Sequence, residues 1–290
     1  MRILVTGGSG FLGSHVADAL SDAGHEVSLF DLNPSPWLRD NQTMVCADIL
    51  DQESINKAVK SSDVIYHLAA LADINEALFK PRETVEINLL GTLNLLEAAR
   101  ESNVERFIFA STIYVYSDQG SFYRTSKQAC ELLLQDYFEQ YGLNYTILRF
   151  GSLYGPRSNQ SNGIHNILHQ AVNNGKIDYY GTGEEVREYI HVLDAAAMTA
   201  DILKDETEEN IFHLTGTERI KSKEMLLMIK EMLDNNLEIN FQMQRRSGHY
   251  EQTPYSYKPK LGKRLRKNTH IDLGLGLLDC LHDIDPKHNE

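Results

Sequence analysis

The sequence predicts an α/β protein: a doubly wound parallel sheet of the dinucleotide-binding type, followed by a smaller C-terminal lobe. Three observations predict it. Strand-like and helix-like patterns alternate from the first residues to about Leu148. A glycine-rich run, Val5-Thr6-Gly7-Gly8-Ser9-Gly10-Phe11-Leu12-Gly13, stands between the first apolar strand and the first amphipathic helix. An acidic residue, Asp31, closes the next strand.

The strands are expected at Ile3–Val5, Val27–Phe30, Met44–Ala47, Val64–His67, Arg106–Ala110 and Tyr145–Arg149. Helical stretches are expected near 11–23, 53–60, 83–102 and 124–141. This alternation puts helices on both faces of a parallel sheet and ligands at the carboxyl ends of its strands. Residues 1–156 are therefore read as a Rossmann-type domain. Beyond Gly155-Pro156 the chain turns rich in Asn, Gly and Ser around one helical stretch, His165 to Asn173. A strand-like segment, Glu188 to Val192, and a clear helix, Ser222 to Leu233, follow. Residues 157–186 and 216–290 are read as a substrate-binding lobe, with segments near 187–215 returning to the sheet.

The glycines carry the first chemical argument. They let the chain turn sharply and approach a pyrophosphate, while the helix behind them offers free N–H groups and the positive end of its dipole. Gly8, Gly10 and Gly13 fit one spacing of the fingerprint, and Gly7, Gly10 and Gly13 its variant spaced in threes. Asp31 is placed to accept hydrogen bonds from ribose hydroxyls and to repel a 2′-phosphate, which favours NAD over NADP. No Arg or Lys follows it before Arg39. A strand-end Asp capping its own turn is the plainer reading, and the glycines upstream weigh against it.

Bulk properties narrow the class. The chain has 290 residues, is 42% hydrophobic and carries 28 basic against 41 acidic residues, a net charge of −13. That balance opposes a nucleic-acid backbone as the main partner. Cys46, Cys130 and Cys280 are far apart, fit no zinc spacing and point to a reducing compartment. No metal site is expected. No apolar run is long enough for a bilayer and no leader segment is read, so a cytoplasmic protein is expected.

Tyr123 and Lys127 form the only Tyr-x-x-x-Lys in the chain. At i and i+4 they share one helix face. An ammonium beside a phenol lowers its pKa and equips it as a general base. The pair follows the strand ending Ala110-Ser111-Thr112 by a short loop, so Thr112 is placed to bind the same substrate oxygen. A helix-start tyrosine with an ordinary solvated lysine is the competing reading. His67 and His191 lie in apolar strands and are read as hydrogen-bonded core residues. The basic cluster from Lys258 to Lys267 is read as a solvated face.

Taken in order, these motifs resemble the extended short-chain dehydrogenase/reductases, and within them the NAD-dependent epimerase/dehydratase family, most of all nucleotide-sugar 4-epimerases. The resemblance runs through the glycine loop, Asp48-Ile49, His67-Leu68-Ala69-Ala70, Asn88-Leu89-Leu90-Gly91-Thr92 and Ser111-Thr112. It continues through Tyr123-x-x-x-Lys127, Leu148-Arg149, Tyr154-Gly155-Pro156, Arg187-Glu188-Tyr189-Ile190-His191 and Arg246-Ser247-Gly248. It implies Thr112, Tyr123 and Lys127 as the catalytic triad. It implies NAD held by Gly7, Gly10, Phe11, Leu12, Gly13 and Asp31, with Asp48 and Ile49 at the adenine. Leu68, Ala69, Ala70, Asn88, Ser111 and Phe150 are implied along the cofactor path, with Tyr123 and Lys127 at its end. Thr112, Ser152, Arg187 and Arg246 are implied for the substrate, the two arginines for its diphosphate. The plainer alternatives are a surface ion pair with Glu184 or Glu188 for Arg187 and a solvated residue in a basic segment for Arg246.

The resemblance also separates reactions. Dehydratases carry an Asp-Glu pair after the threonine and decarboxylases a Glu, whereas this chain has Ile113 and Tyr114. Redox chemistry at a sugar hydroxyl is then expected, through a transient 4-keto sugar. A 4-ketoreductase and a non-catalytic dinucleotide sensor are the alternatives. The first would need an exchangeable reduced cofactor, often the NADPH that Asp31 disfavours. The second would be expected to have lost the Tyr-Lys pair. Two departures bear on the sugar: the loop between Tyr116 and Tyr123 is unusually short, and Ser152 stands where an Asn is common. A homodimer through helices 83–102 and 124–141 is expected, on the apolar residues Leu89, Leu93, Leu96, Leu132 and Leu133.

Overall fold

The computed structural model describes residues 1–204, 210–233, 236–242 and 248–254. Its first half reads β1 (Arg2–Thr6), α1 (Phe11–Asp22), β2 (Glu26–Asp31), β3 (Gln42–Cys46), α2 (Gln52–Val59) and β4 (Val64–His67). Then come α3 (Ile74–Phe79), α4 (Pro81–Val85), a wide turn at Glu86–Leu90, α5 (Gly91–Glu101), β5 (Arg106–Thr112), α6 (Ser121–Tyr141) and β6 (Tyr145–Phe150). The rest comprises β7 (Ser152–Tyr154), α7 (Gly163–Asn174), β8 (Lys176–Tyr180), β9 (Val186–His191), α8 (Val192–Asp201), β10 (Asn210–Leu214), β11 (Arg219–Lys221), α9 (Ser222–Leu233) and β12 (Glu238–Gln242).

Seven strands form one sheet in the order β10-β6-β5-β4-β1-β2-β3, every pair parallel. The chain starts in the middle and winds outward in both directions, so the crevice falls between β1 and β4. Residue alternation builds the two faces. Leu4, Ile65, Phe107, Phe109 and Ile147 pack under α2, α5 and α6. Ile3, Val5, Val64, Tyr66, Ile108 and Leu148 pack under α1 and α8. Each such side chain contributes about 1.5–3 kcal/mol by leaving water.

Within the later region, β10 joins the main sheet beside β6, whereas β9 pairs with β7 and β11 in a separate three-stranded sheet. A third core gathers Ile167, Ile177, Leu226, Ile229 and Leu237 between α7, α9 and the β8–β12 pair.

Two local differences from the sequence reading stand out. The stretch expected as one helix near 83–102 is α4, the wide turn and α5 in succession, with α3 ahead of it. Asp73 starts α3 by accepting from the Asn75 and Glu76 amides. Helix α6 begins at Ser121, a turn earlier than expected, on consecutive positive φ values of 97° at Gly120 and 49° at Ser121. The short loop is closed by that left-handed corner, and it brings Tyr123 into the first turn of the helix.

Candidate active site

The glycine loop is a cradle that side chains would fill. Gly7 has φ 72°, and a Cβ there would lie 2.6 Å from the Ala69 amide nitrogen. A Cβ on Gly13 would lie 2.0 Å from the Gly7 carbonyl oxygen. The loop thus touches the Leu68–Ala70 backbone, fixed in turn by Leu68 N–H donating to Thr6 O at 3.1 Å. Helix α1 begins at Gly10 with no side-chain cap, leaving its first-turn amides directed at the crevice. Phe11 and Leu12 stand half-buried in that turn. These features fit a dinucleotide pyrophosphate.

Asp31 sits at the end of β2 with one carboxylate oxygen accepting from the Ser9 amide at 3.1 Å and the other from the Asn33 amide at 3.1 Å. It is therefore both a turn cap and a fixed negative charge at the lip of the glycine loop. Asp48 accepts from the Leu50 amide at 2.9 Å. The Ile49 side chain is buried against Gly91 in the core, so only its backbone remains for the crevice. Asn88 is buried, its oxygen accepting from Leu71 N–H at 2.7 Å and its nitrogen donating to Leu71 O and Ser126 Oγ. It braces the loop after β4 rather than presenting an amide outward. Phe150 is likewise a core residue, paired across β5 and β6 with Thr112.

The three catalytic candidates converge. Thr112 closes β5, buried, and its hydroxyl oxygen accepts from the Tyr114 amide at 3.2 Å. Tyr123 and Lys127 project from one face of α6 toward that strand end. The Lys127 ammonium donates to Ala110 O at 2.7 Å, lies 4.6 Å over the Phe109 ring and stands 6.0 Å from the centre of the Tyr123 ring. Burial pushes the Tyr123 phenol up to about 12, opposed by a hydrogen bond with the Thr112 side chain. Burial also brings the Lys127 ammonium down to about 8, opposed by the charges of Cys130 and Glu131. Desolvation thus dominates the phenol, and the lowering expected from its lysine neighbour is not among the causes of the shift.

Behind them lies a group that sequence reasoning missed. Ser111 donates to Glu131 Oε1 at 2.5 Å, and Arg149 pairs with the same carboxylate. Its signal was available, since Glu131 follows Lys127 by four residues on the same helix face.

His67 is the core residue expected. Its Nδ1 meets Thr6 Oγ1 at 2.7 Å and its Nε2 meets Thr92 Oγ1 at 2.8 Å. Thr92 gives its own proton to Asn88 O, so Nε2 is the donor and the ring is held as one neutral tautomer. Burial keeps its pKa well below 6.5. His191 differs from expectation: half-buried, it ends β9 and caps α8 by accepting from the Leu193 amide at 3.3 Å.

On the substrate side, Ser152 Oγ lies 3.3 Å from the Tyr250 hydroxyl. The alternative partners of Arg187 are engaged elsewhere: Glu184 with Lys221 at 2.6 Å and Glu188 with Arg219 at 2.9 Å. Among the described residues Arg187 makes no ion pair, and its guanidinium rests over the Tyr250 ring at 4.2 Å. Arg246 and the cluster from Lys258 to Lys267 lie outside the described residues. Among the described residues no group of His, Cys, Asp and Glu is arranged to hold a metal, and no helix is long and apolar enough to cross a membrane.

Comparison with known proteins finds relatives along most of the chain. A UDP-N-acetyl-alpha-D-glucosaminuronate decarboxylase of Bacillus cytotoxicus is 32% identical over 247 residues, covering 76% of each chain. The crystal structure of a Thermotoga maritima UDP-glucose 4-epimerase with UDP-glucose superposes with a TM-score of 0.81 at 27% identity, covering 89% of this chain and 90% of that one. A Thermus thermophilus UDP-glucose 4-epimerase in complex with NAD gives 0.79 at 29% identity, covering 91% and 95%. The family model of the NAD dependent epimerase/dehydratase family matches residues 3–214. That match spans most of the chain, and the chain belongs to the NAD-dependent epimerase/dehydratase family.

Proposed function

We propose that the protein is an NAD-dependent nucleotide-sugar epimerase acting at C4. The observation that carries this reading is the convergence of Thr112, Tyr123 and Lys127 beside the glycine cradle, with no carboxylate in the turn after Thr112. When bound, NAD supplies the acceptor and then the donor of a hydride at the sugar carbon, together with a positive charge beside the phenol. Tyr123 would act as the phenolate that this positive charge favours, removing the proton of the 4-hydroxyl and returning it once the 4-keto sugar has turned over. Thr112 hydrogen-bonds the same oxygen. Lys127, an ammonium near neutral pH, holds the ribose and the field around the phenol. Arg187, and Arg246 by resemblance, anchor the diphosphate through which the sugar stays tethered while it turns.

The decarboxylase relative marks the main competing chemistry. The resemblance places a Glu after the threonine in decarboxylases, and here Tyr114 occupies that turn, which favours epimerisation. A 4-ketoreductase would consume an exchangeable reduced cofactor.

The test is to incubate the purified protein, with no added cofactor, with UDP-, GDP-, CDP- and dTDP-hexoses and follow C4 by NMR. Inversion of at least one sugar supports the reading. Reduction dependent on added NAD(P)H, or carbon dioxide release from a uronate without inversion, contradicts it.

We also propose a cytoplasmic homodimer, with residues 157–186 and 216–290 as the substrate lobe. Leu96 is buried in the core and Leu89, Leu93 and Leu133 pack against it, so these four do not form a free face. Phe79, Val85, Leu90, Phe122, Leu132 and Tyr141 are the exposed large apolar residues between the start of α3 and the end of α6. Sedimentation as a dimer at micromolar concentration supports that part, and a monomer contradicts it.

A further inference from the structure

Residues 248–252 form a strap running from the short loop ahead of α6 to β9. Gly248 O accepts from the Gly120 amide at 2.9 Å, Glu251 O accepts from the Val186 amide at 2.8 Å, and Gln252 bridges Val186 in parallel. The strap carries Tyr250 inward, to 5% exposure. There the Tyr250 ring meets the Tyr114 ring at 4.6 Å, its hydroxyl meets Ser152 Oγ at 3.3 Å, and the Arg187 guanidinium lies over it at 4.2 Å.

The contact with Arg187 has a chemical consequence. A guanidinium is commonly ordered by a carboxylate, which neutralises it and uses its N–H groups. An aromatic face orders it without taking a donor. Arg187 spends one N–H on Val186 O at 3.3 Å, while Glu184 and Glu188 are paired with other cations and the Glu185 carboxylate is taken up by the Thr182 and Gly183 amides and the Tyr179 hydroxyl. Among the described residues it is therefore a cation without an ion pair, and its remaining N–H groups are available to a bidentate anion.

We infer that Tyr250 is a positioning residue: its ring orders the Arg187 guanidinium for the diphosphate of a nucleotide substrate. The inference rests on the proposed nucleotide-sugar function and adds a residue that the family motifs do not mark. The ring also bears on Tyr114, in the turn that follows Thr112. Anion binding and the catalytic strand end thus share one aromatic contact.

The probe is UDP, titrated calorimetrically into the full chain with its cofactor bound. Tyr250→Leu fills most of the ring's volume but has no π face, and weakens UDP about tenfold, the scale of a desolvated cation–π contact. Tyr250→Phe keeps the face, loses only the contact with Ser152, and restores binding to within about threefold of wild type. Arg187→Ala weakens UDP, and adding Tyr250→Leu to it brings no further loss, because the ring acts through the arginine. Unfolding midpoint and cofactor content are measured on every variant, and Tyr250→Phe carries the comparison if Tyr250→Leu does not fold: binding weakened beyond about tenfold in that ring-bearing variant contradicts the inference. Unchanged or tighter UDP binding by Tyr250→Leu, or losses that multiply in the double variant, overturns it. Failure of the wild type itself to bind UDP overturns the nucleotide-diphosphate reading beneath it.

Discussion

Arg149 meets Glu131 through two N–H bonds, Nε to Oε1 at 3.0 Å and Nη2 to Oε2 at 2.6 Å, in a site nearly closed to water. The same carboxylate accepts from Ser111, and Arg149 reaches on to the Tyr116 hydroxyl, which meets His213 at 2.9 Å. The pair ties α6 to the ends of β5 and β6, one helical turn from Lys127. Removing one partner leaves a buried charge uncompensated. Glu131→Ala is expected to cost about 3–5 kcal/mol in denaturant unfolding. A loss below about 1 kcal/mol, the worth of a surface pair, would show the pair to be solvated.

The glycine cradle makes a sharper demand. A Cβ on Gly13 would stand 2.0 Å from the Gly7 carbonyl oxygen, a backbone atom that cannot move without moving the loop. Gly13→Ala is therefore expected to purify without NAD while keeping its β-sheet signal. The measurement is the nicotinamide nucleotide released on acid precipitation. Release of one equivalent per chain from the variant would contradict it.

Asp31 is fixed by two backbone amides, so its charge stays at the lip of the crevice. Asp31→Ser removes the repulsion of a 2′-phosphate and the acceptor for the ribose. The ratio of NADP to NAD dissociation constants is expected to fall by about tenfold, which is 1.4 kcal/mol. An unchanged ratio would reduce Asp31 to a turn cap.

His67 sets a pH window for stability. Its folded pKa lies well below 6.5, so above that value the ring is neutral in both states and its full contribution is present. Below 6.5 the unfolded chain binds a proton that the native ring refuses, and stability falls with pH. The slope from this one group approaches about 1.4 kcal/mol per pH unit. His15, His25 and His213 are lowered by burial in the same direction, so the decline is shared. Unfolding free energies between pH 6.5 and 5 are expected to decline less steeply in His67→Gln. An identical slope in the variant would contradict the assignment.

Much of the site was legible in the sequence because it lies on local patterns. The glycine spacing, the strand-end Asp31 and the i, i+4 pair Tyr123–Lys127 need only a strand followed by a helix. The clear helix at Ser222–Leu233 and the strand Val64–His67 stand where their apolar patterns put them. What was not legible depends on contacts between distant segments. The Lys127 ammonium turns to Ala110 O because β5 presents a carbonyl there, and no spacing encodes that. Asn88 looked like a ligand but is absorbed by the Leu71 backbone and Ser126. Leu89, Leu93 and Leu133 looked surplus to one sheet face, yet all three pack against the core. Tyr250 carries no motif and gains its place only when the strap crosses from Gly120 to Val186.

The most direct test of the central claim is the rate of C4 inversion, read by NMR, for Tyr123→Phe loaded with NAD to the wild-type level. A positioned proton-transfer group contributes about 10²–10⁴-fold. The variant is therefore expected to retain fold and cofactor and to lose at least about a hundredfold in turnover. Near-normal inversion by that variant would remove the phenol from the mechanism and with it the account of the site.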